Sequence, residues 1–344
     1  MSNQRTLFQE ITKAIVDAEA HMEFSVCLHP SNEREQREKF FAGEIQEPLF
    51  TYKDQHVLAP EFPDFMVEHE TDALYRDRIG HTKGVALLLQ LVGQDDEFSQ
   101  LSQVLFPVTE VSDMPTGESP LEEGNVDANA VIAAFQVAMK ECAAEGWTLE
   151  IVEDCSSRMY VNQWSKKVAV RSDVLISEEE LPALVRHEIG VHVLRSERGR
   201  AQKEPILHVG TLRGRLVEEG VACYIENPQG HPRIFQRHLA VRTALNHSFR
   251  ETWQLLCDEG CTKEDAWTHT LRVKRGLKDG TSHGAFTKDA VYAQGYEEIR
   301  TYIEEGGEFA PLLSAPIHPS EIELLISQAD MEVFPIPALL ELSQ

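Results

Sequence analysis

The sequence predicts an α+β protein that is mostly helical, with one small sheet. Three observations carry this expectation. Long stretches place apolar residues at helical spacing, only three short pieces between residues 148 and 170 read as strands, and the chain from residue 182 onward is nearly all helical. At 344 residues, 42% apolar and 26% charged, the chain can bury a sizeable core and has the balance of a soluble globular protein.

Taken in order, residues 6–23 read as an amphipathic helix, and the turn Pro30-Ser31-Asn32 leads into a charged helix at Glu33–Phe41. Pro48-Leu49-Phe50-Thr51-Tyr52 reads as extended. Further helices are expected at 66–93 and 95–106. Pro115, Gly117, Pro120 and Gly124, set among acidic residues, mark 108–125 as a linker. This divides the chain into an N-terminal helical region (1–107) and a catalytic unit (126–344). The second part opens with a helix at 128–145, then strands at 148–152, 158–161 and 167–170, the last alternating apolar and polar. Helices follow at 182–198, 212–226, 232–247, 248–259, 263–275 and 288–305. A sheet running into the first of these would set an edge strand beside whatever that helix carries.

What it carries is Arg186-His187-Glu188-Ile189-Gly190-Val191-His192, followed later by Glu218-Glu219-Gly220-Val221-Ala222. Imidazole and carboxylate are the ligands of a catalytic zinc ion, which keeps one position open for water. The common spacing His-Glu-x-x-His sets the two rings about 40° apart around a helix. His-Glu-x-x-x-His sets them about 140° apart, so an ideal α-helix cannot aim both at one ion. A π-type turn repairs this, and Gly190 is where the widening is expected. Fourteen histidines make a chance match possible, so the flanks matter. Residues 178–185 read as the acidic, Pro-containing first turn of a helix, which places the histidines mid-helix. His187, His192 and Glu219 are the expected ligands of one Zn2+ per chain, with Glu188 as the general base toward water. Glu218 is a possible partner that orients a histidine, and His208 is an alternative ligand.

A net charge of −25 weighs against nucleic acid, anionic membrane and strongly acidic peptides as bulk partners. Two segments run against that charge. Residues 186–203 hold five basic and two acidic side chains, and 272–278 hold four basic and none acidic. If both line one cleft, it suits a carboxylate. Arg272, Lys274, Arg275 and Lys288 are the expected carboxylate-holding residues, and Tyr224, His283 and Tyr292 the candidates to polarise a carbonyl. The N-terminus lacks a signal peptide pattern, no apolar run is long enough to span a bilayer, and six cysteines are scattered without paired spacing. A cytoplasmic protein with reduced thiols is therefore expected.

Taken together, His187-Glu188-Ile189-Gly190-Val191-His192, Arg198-Gly199-Arg200-Ala201-Gln202 and Glu218-Glu219-Gly220-Val221-Ala222 resemble the family of microtubule-associated tyrosine carboxypeptidases. Its bacterial members are catalogued as flavohaemoglobin expression-modulating proteins with a Gln-Glu-Gly-Leu-Ala motif. Pro30-Ser31-Asn32 with residues 48–52 is similar to the family's N-terminal signature. The stretches 272–277 and 284–295 are similar to its C-terminal one. The resemblance implies a gluzincin-like zinc metallopeptidase with His187, His192 and Glu219 as ligands and Glu188 catalytic. It also implies removal of a residue from a peptide or protein C-terminus. Glu218, Val221 and Arg198 depart from the family's usual Gln, Leu and Asn, and none of these departures removes a ligand. The chain's own acidity weighs against a tubulin-like acidic tail as substrate.

Overall fold

The computed structural model describes residues 2–22, 24–54, 57–111, 124–153 and 157–340. It is mostly helical with two small sheets. Among the described residues there are five strands: β1 (Val126–Asp127), β2 (Thr148–Val152), β3 (Met159–Asn162), β4 (Lys167–Arg171) and β5 (Leu175–Ile176). The short strands β1 and β5 pair antiparallel. The larger sheet has the order β2-β4-β3, with β4 parallel to β2 and antiparallel to β3. Val168, Ala169 and Val170 are all buried, as a central strand covered on both faces requires. β3 pairs on one side only and is an edge.

From the sheet the chain enters one continuous helical rod: α-helix at Glu180–Val185, π-helix at Arg186–Val193, α-helix at Leu194–Ala201. The next helices are Leu212–Glu226, Pro232–Ala244, Phe249–Asp258, Lys263–Lys274 and Ala290–Glu304. All but the last of these start at a side-chain cap. Thr211, Ser248 and Thr262 each accept a hydrogen bond from a first-turn backbone N–H, satisfying donors that the helix leaves open. Val131, Phe135, Val168, Val170, Ile189, Val193, Val221 and Ile299 form one buried cluster. It clamps the sheet to the histidine rod and to the helices that face it.

The expected linker falls largely outside the described residues. The helices before it share cores with those after it. Phe8, Ile11 and Tyr75 pack with Ile206, Leu207 and Ile317, and Phe98 and Phe106 pack with Leu277 and Phe286. The C-terminal stretch, which the sequence pattern left unassigned, wraps back over the histidine rod. Fully buried Arg195 donates to the carbonyls of Leu312 (2.8 Å), Ala315 (3.3 Å) and Ile317 (3.0 Å). No disulfide links the five described cysteines. Among the described residues no helix is long and apolar enough to cross a membrane.

Candidate metal centre

The π-helix predicted from the i, i+5 spacing spans Arg186–Val193 and includes both histidines. Its wider turn brings the rings of His187 and His192 to a centroid separation of 5.2 Å, inclined at 62°. Gly190 lies within it, for a packing reason beyond the backbone freedom expected of it. A Cβ there would sit 2.5 Å from Cδ2 of Leu340, so the C-terminal stretch seals the back of the rod against a bare backbone.

Glu219 comes from the helix Leu212–Glu226, which crosses a bare spot on the helix Ala290–Glu304. An added Cβ on Gly220 would lie 2.0 Å from the carbonyl carbon of Gly295. Only two glycines allow this approach. The contact holds the two helices together beside the histidines. Glu219 Oε2 lies 3.8 Å from His187 Nε2 and 3.6 Å from His192 Nε2. These separations are long for hydrogen bonds. They are close to the roughly 3.4 Å between two ligand atoms that share a tetrahedral zinc ion at about 2.0–2.1 Å.

The other ring nitrogens are already engaged. His187 Nδ1 is 2.8 Å from Glu226 Oε2, and His192 Nδ1 is 3.1 Å from Glu218 Oε1. A carboxylate only accepts, so each Nδ1 donates its proton and each Nε2 is left to offer a lone pair. Arg215 in turn pairs with Glu218. Glu188, one residue after His187, makes no hydrogen bond or ion pair with any described residue, and it lines the cleft. His187, Glu188 and His192 present donor atoms within 4.8 Å of one another. A second set, His187, Cys223 and Glu226, meets the same distance. In that set Glu226 already hydrogen-bonds Nδ1 of His187.

Electrostatics favour a cation. Burial opposes charge on all five groups, yet they hold one another ionised. Glu218 and Glu226 are each lowered to about 2, and Glu219 lies well below the usual carboxylate range. The neighbouring carboxylates raise His192 to about 9, and His187 well above its ordinary value. The donor set therefore fits zinc in element types, in spacing and in the hydrogen bonds behind it.

The site lies in a cleft of about 1000 Å³ walled by β3, by the histidine rod and by the helices from residue 212 onward. Ten Lys or Arg and eight Asp or Glu line it, a small basic excess inside a strongly acidic protein. Of the residues expected to bind substrate, Arg272, Arg275, Lys288 and Tyr292 reach the cleft. Arg272 is committed to buried Asp289 through two hydrogen bonds of 2.6 and 2.8 Å, and Arg275 lies 3.7 Å from the same carboxylate. Lys288 Nζ faces Glu219 Oε1 at 3.7 Å. Two expectations are corrected. Lys274 is buried away from the cleft, where its ammonium donates to four carbonyls, those of Ala244, His247, Ser282 and Gly284. His283 is exposed and outside the cleft. Tyr224 packs against Tyr296 and Phe309, and His208 lies 2.8 Å from the Gln202 carbonyl, so neither faces the site.

Sequence reasoning missed Glu226, Cys223, Arg233 and Arg237. A signal for the first was present. Glu219 and Glu226 are seven residues apart, two turns along one stripe of a helix.

Residues 38–338 match the family of microtubule-associated tyrosine carboxypeptidases, and the chain belongs to that family. Similar proteins include microtubule-associated tyrosine carboxypeptidase 1 of Mus musculus, 24% identical over 293 residues, covering 80% of this chain and 56% of that protein. The Homo sapiens protein of the same name is 23% identical over 296 residues, covering 80% and 55%. The chain thus spans a little over half the length of these relatives.

Proposed function

We propose that the chain is a gluzincin-like, zinc-dependent carboxypeptidase that removes a terminal residue from a peptide or protein. One observation carries this reading: a Glu219 oxygen lies 3.8 and 3.6 Å from the Nε2 atoms of His187 and His192, with the Glu188 carboxylate, unpaired among the described residues, beside the two rings. The names of the relatives supply the exopeptidase part and suggest tyrosine as the residue removed. The basic excess in the cleft tempers the repulsion that the chain's overall charge sets up toward an acidic tail.

His187, His192 and Glu219 would hold the zinc ion, which supplies Lewis acidity and brings the ionisation of water toward neutral pH. The chain's own groups do the rest. Met159–Asn162 of β3 line the cleft, and a strand there would offer backbone N–H and C=O groups to an extended substrate. Glu188 takes a proton from the attacking water as its oxygen bonds to the scissile carbonyl carbon. When the C–N bond breaks, Glu188 returns that proton to the leaving amine. Tyr292 has a hydroxyl with no partner among the described residues, and burial followed by the Glu219 charge keeps it protonated. It is placed to donate to the carbonyl oxygen.

The test is Glu188→Gln. Turnover of a peptide ending in tyrosine is expected to fall by about three orders of magnitude or more, with zinc content and thermal stability unchanged. Wild-type-like turnover in that variant would remove Glu188 from the chemistry.

A further inference from the structure

Resting on the carboxypeptidase reading, the question becomes what holds the free end of the substrate. The cations expected for this role are committed elsewhere: Arg272 and Arg275 to Asp289, Lys274 to carbonyls, Lys288 to Glu219. Arg233 and Arg237 differ. They stand four residues apart on the helix Pro232–Ala244, hence on one face, and both line the cleft. Neither guanidinium makes a hydrogen bond or ion pair with any described residue.

The nearby acids are engaged elsewhere. Glu180 pairs with Arg158 at 2.6 Å, Asp265 accepts from the Thr262 hydroxyl at 2.8 Å, and Glu226 serves His187. Arg237 is nevertheless held in place. Its guanidinium lies 4.6 Å over the Tyr292 ring, and its Nε is buried without a partner. The helix opens with no acidic residue in its first turn, so its positive end adds to the charge of Arg233. Burial, with Arg158 and Arg237 close by, lowers Arg233 from its ordinary value, and the opposing charges of Glu180 and Asp265 do not offset this. Two poorly compensated guanidinium groups in a cleft are costly in the empty protein, and a ligand that brings the anion relieves them.

We propose that Arg233 and Arg237 hold the free α-carboxylate of the substrate's terminal residue and so restrict cleavage to chain ends. A guanidinium fork matches a carboxylate in two parallel hydrogen bonds. A C-terminal amide or an internal peptide bond brings no charge and leaves both forks unmet.

The experiment uses the full chain loaded with zinc. Two hexapeptides of one sequence ending in tyrosine are compared, one a free acid and one a C-terminal amide. Binding is read by calorimetry in the Glu188→Gln background, and turnover is read in the otherwise native protein. The native sequence is expected to bind the free acid at least tenfold more tightly than the amide. In Arg233→Ala and Arg237→Gln that preference is expected to collapse, with amide binding and zinc content unchanged, and Arg237→Lys to recover part of it. Variants that keep the native preference, or that lose acid and amide alike, would overturn the assignment. If the native protein binds the acid preferentially yet cleaves nothing, the hydrolase reading fails and the carboxylate site stands.

Discussion

At the scale of single residues, the proposed ligands could be nominated because the chemistry expected of them is written in short motifs, whereas the groups behind them could not. His187, Glu188 and His192 share one short motif and Glu219 sits in the acidic pair Glu218-Glu219, so type and spacing sufficed to nominate them. Glu226 acts through a histidine 39 positions away, at 2.8 Å, and no local pattern announces that contact. The misplacement of Lys274 has the same origin. The basic run 272–278 alternates faces at the end of a helix, so Arg272 reaches the cleft while Lys274 turns inward to four carbonyls. Glu226→Gln keeps the shape of the side chain and removes the charge that fixes the His187 tautomer. Zinc affinity measured by chelator competition is expected to fall by about 10–100-fold, and an unchanged affinity would show that Glu226 does not orient the ligand.

At the scale of elements, periodicity located nearly every helix, and the one irregular element was legible because regular geometry could not satisfy the motif. An i, i+5 pair of ligands demands a wider turn, and the chain forms one at Arg186–Val193. Nothing local showed what would cover it. Leu340 lies 150 residues further along and seats its side chain on Gly190, a contact between distant segments that periodicity cannot reveal. Gly190→Ala is expected to destabilise the protein by about 1–3 kcal/mol through overpacking. In the Leu340→Ala background the same substitution is expected to cost less, because its obstacle is the far end of one side chain. Equal costs in both backgrounds, read from denaturant melts, would place the strain in the helix itself.

At the scale of the whole molecule, composition gave the acidic surface but not the interior. Two histidines that no motif singled out are buried: His238 is fully enclosed and His269 nearly so. Burial lowers them to about 4 and about 3 respectively. Their folded values lie below the ordinary 6.5, so the unfolded chain takes up protons first as pH falls. The stability associated with their neutral forms is intact above pH 6.5 and is lost between there and about pH 4. Zinc-free protein is expected to lose on the order of a few kcal/mol over that window. A melting temperature flat from pH 7 to 4.5 would show that these rings are not held neutral.

The account rests on three side chains meeting at one ion, and zinc K-edge absorption spectroscopy on the purified protein reads that shell directly. It is expected to show one zinc per chain with two imidazoles and oxygen at about 2.0–2.1 Å and no sulfur. A protein that retains no zinc, or a sulfur scatterer near 2.3 Å from Cys223, would contradict it.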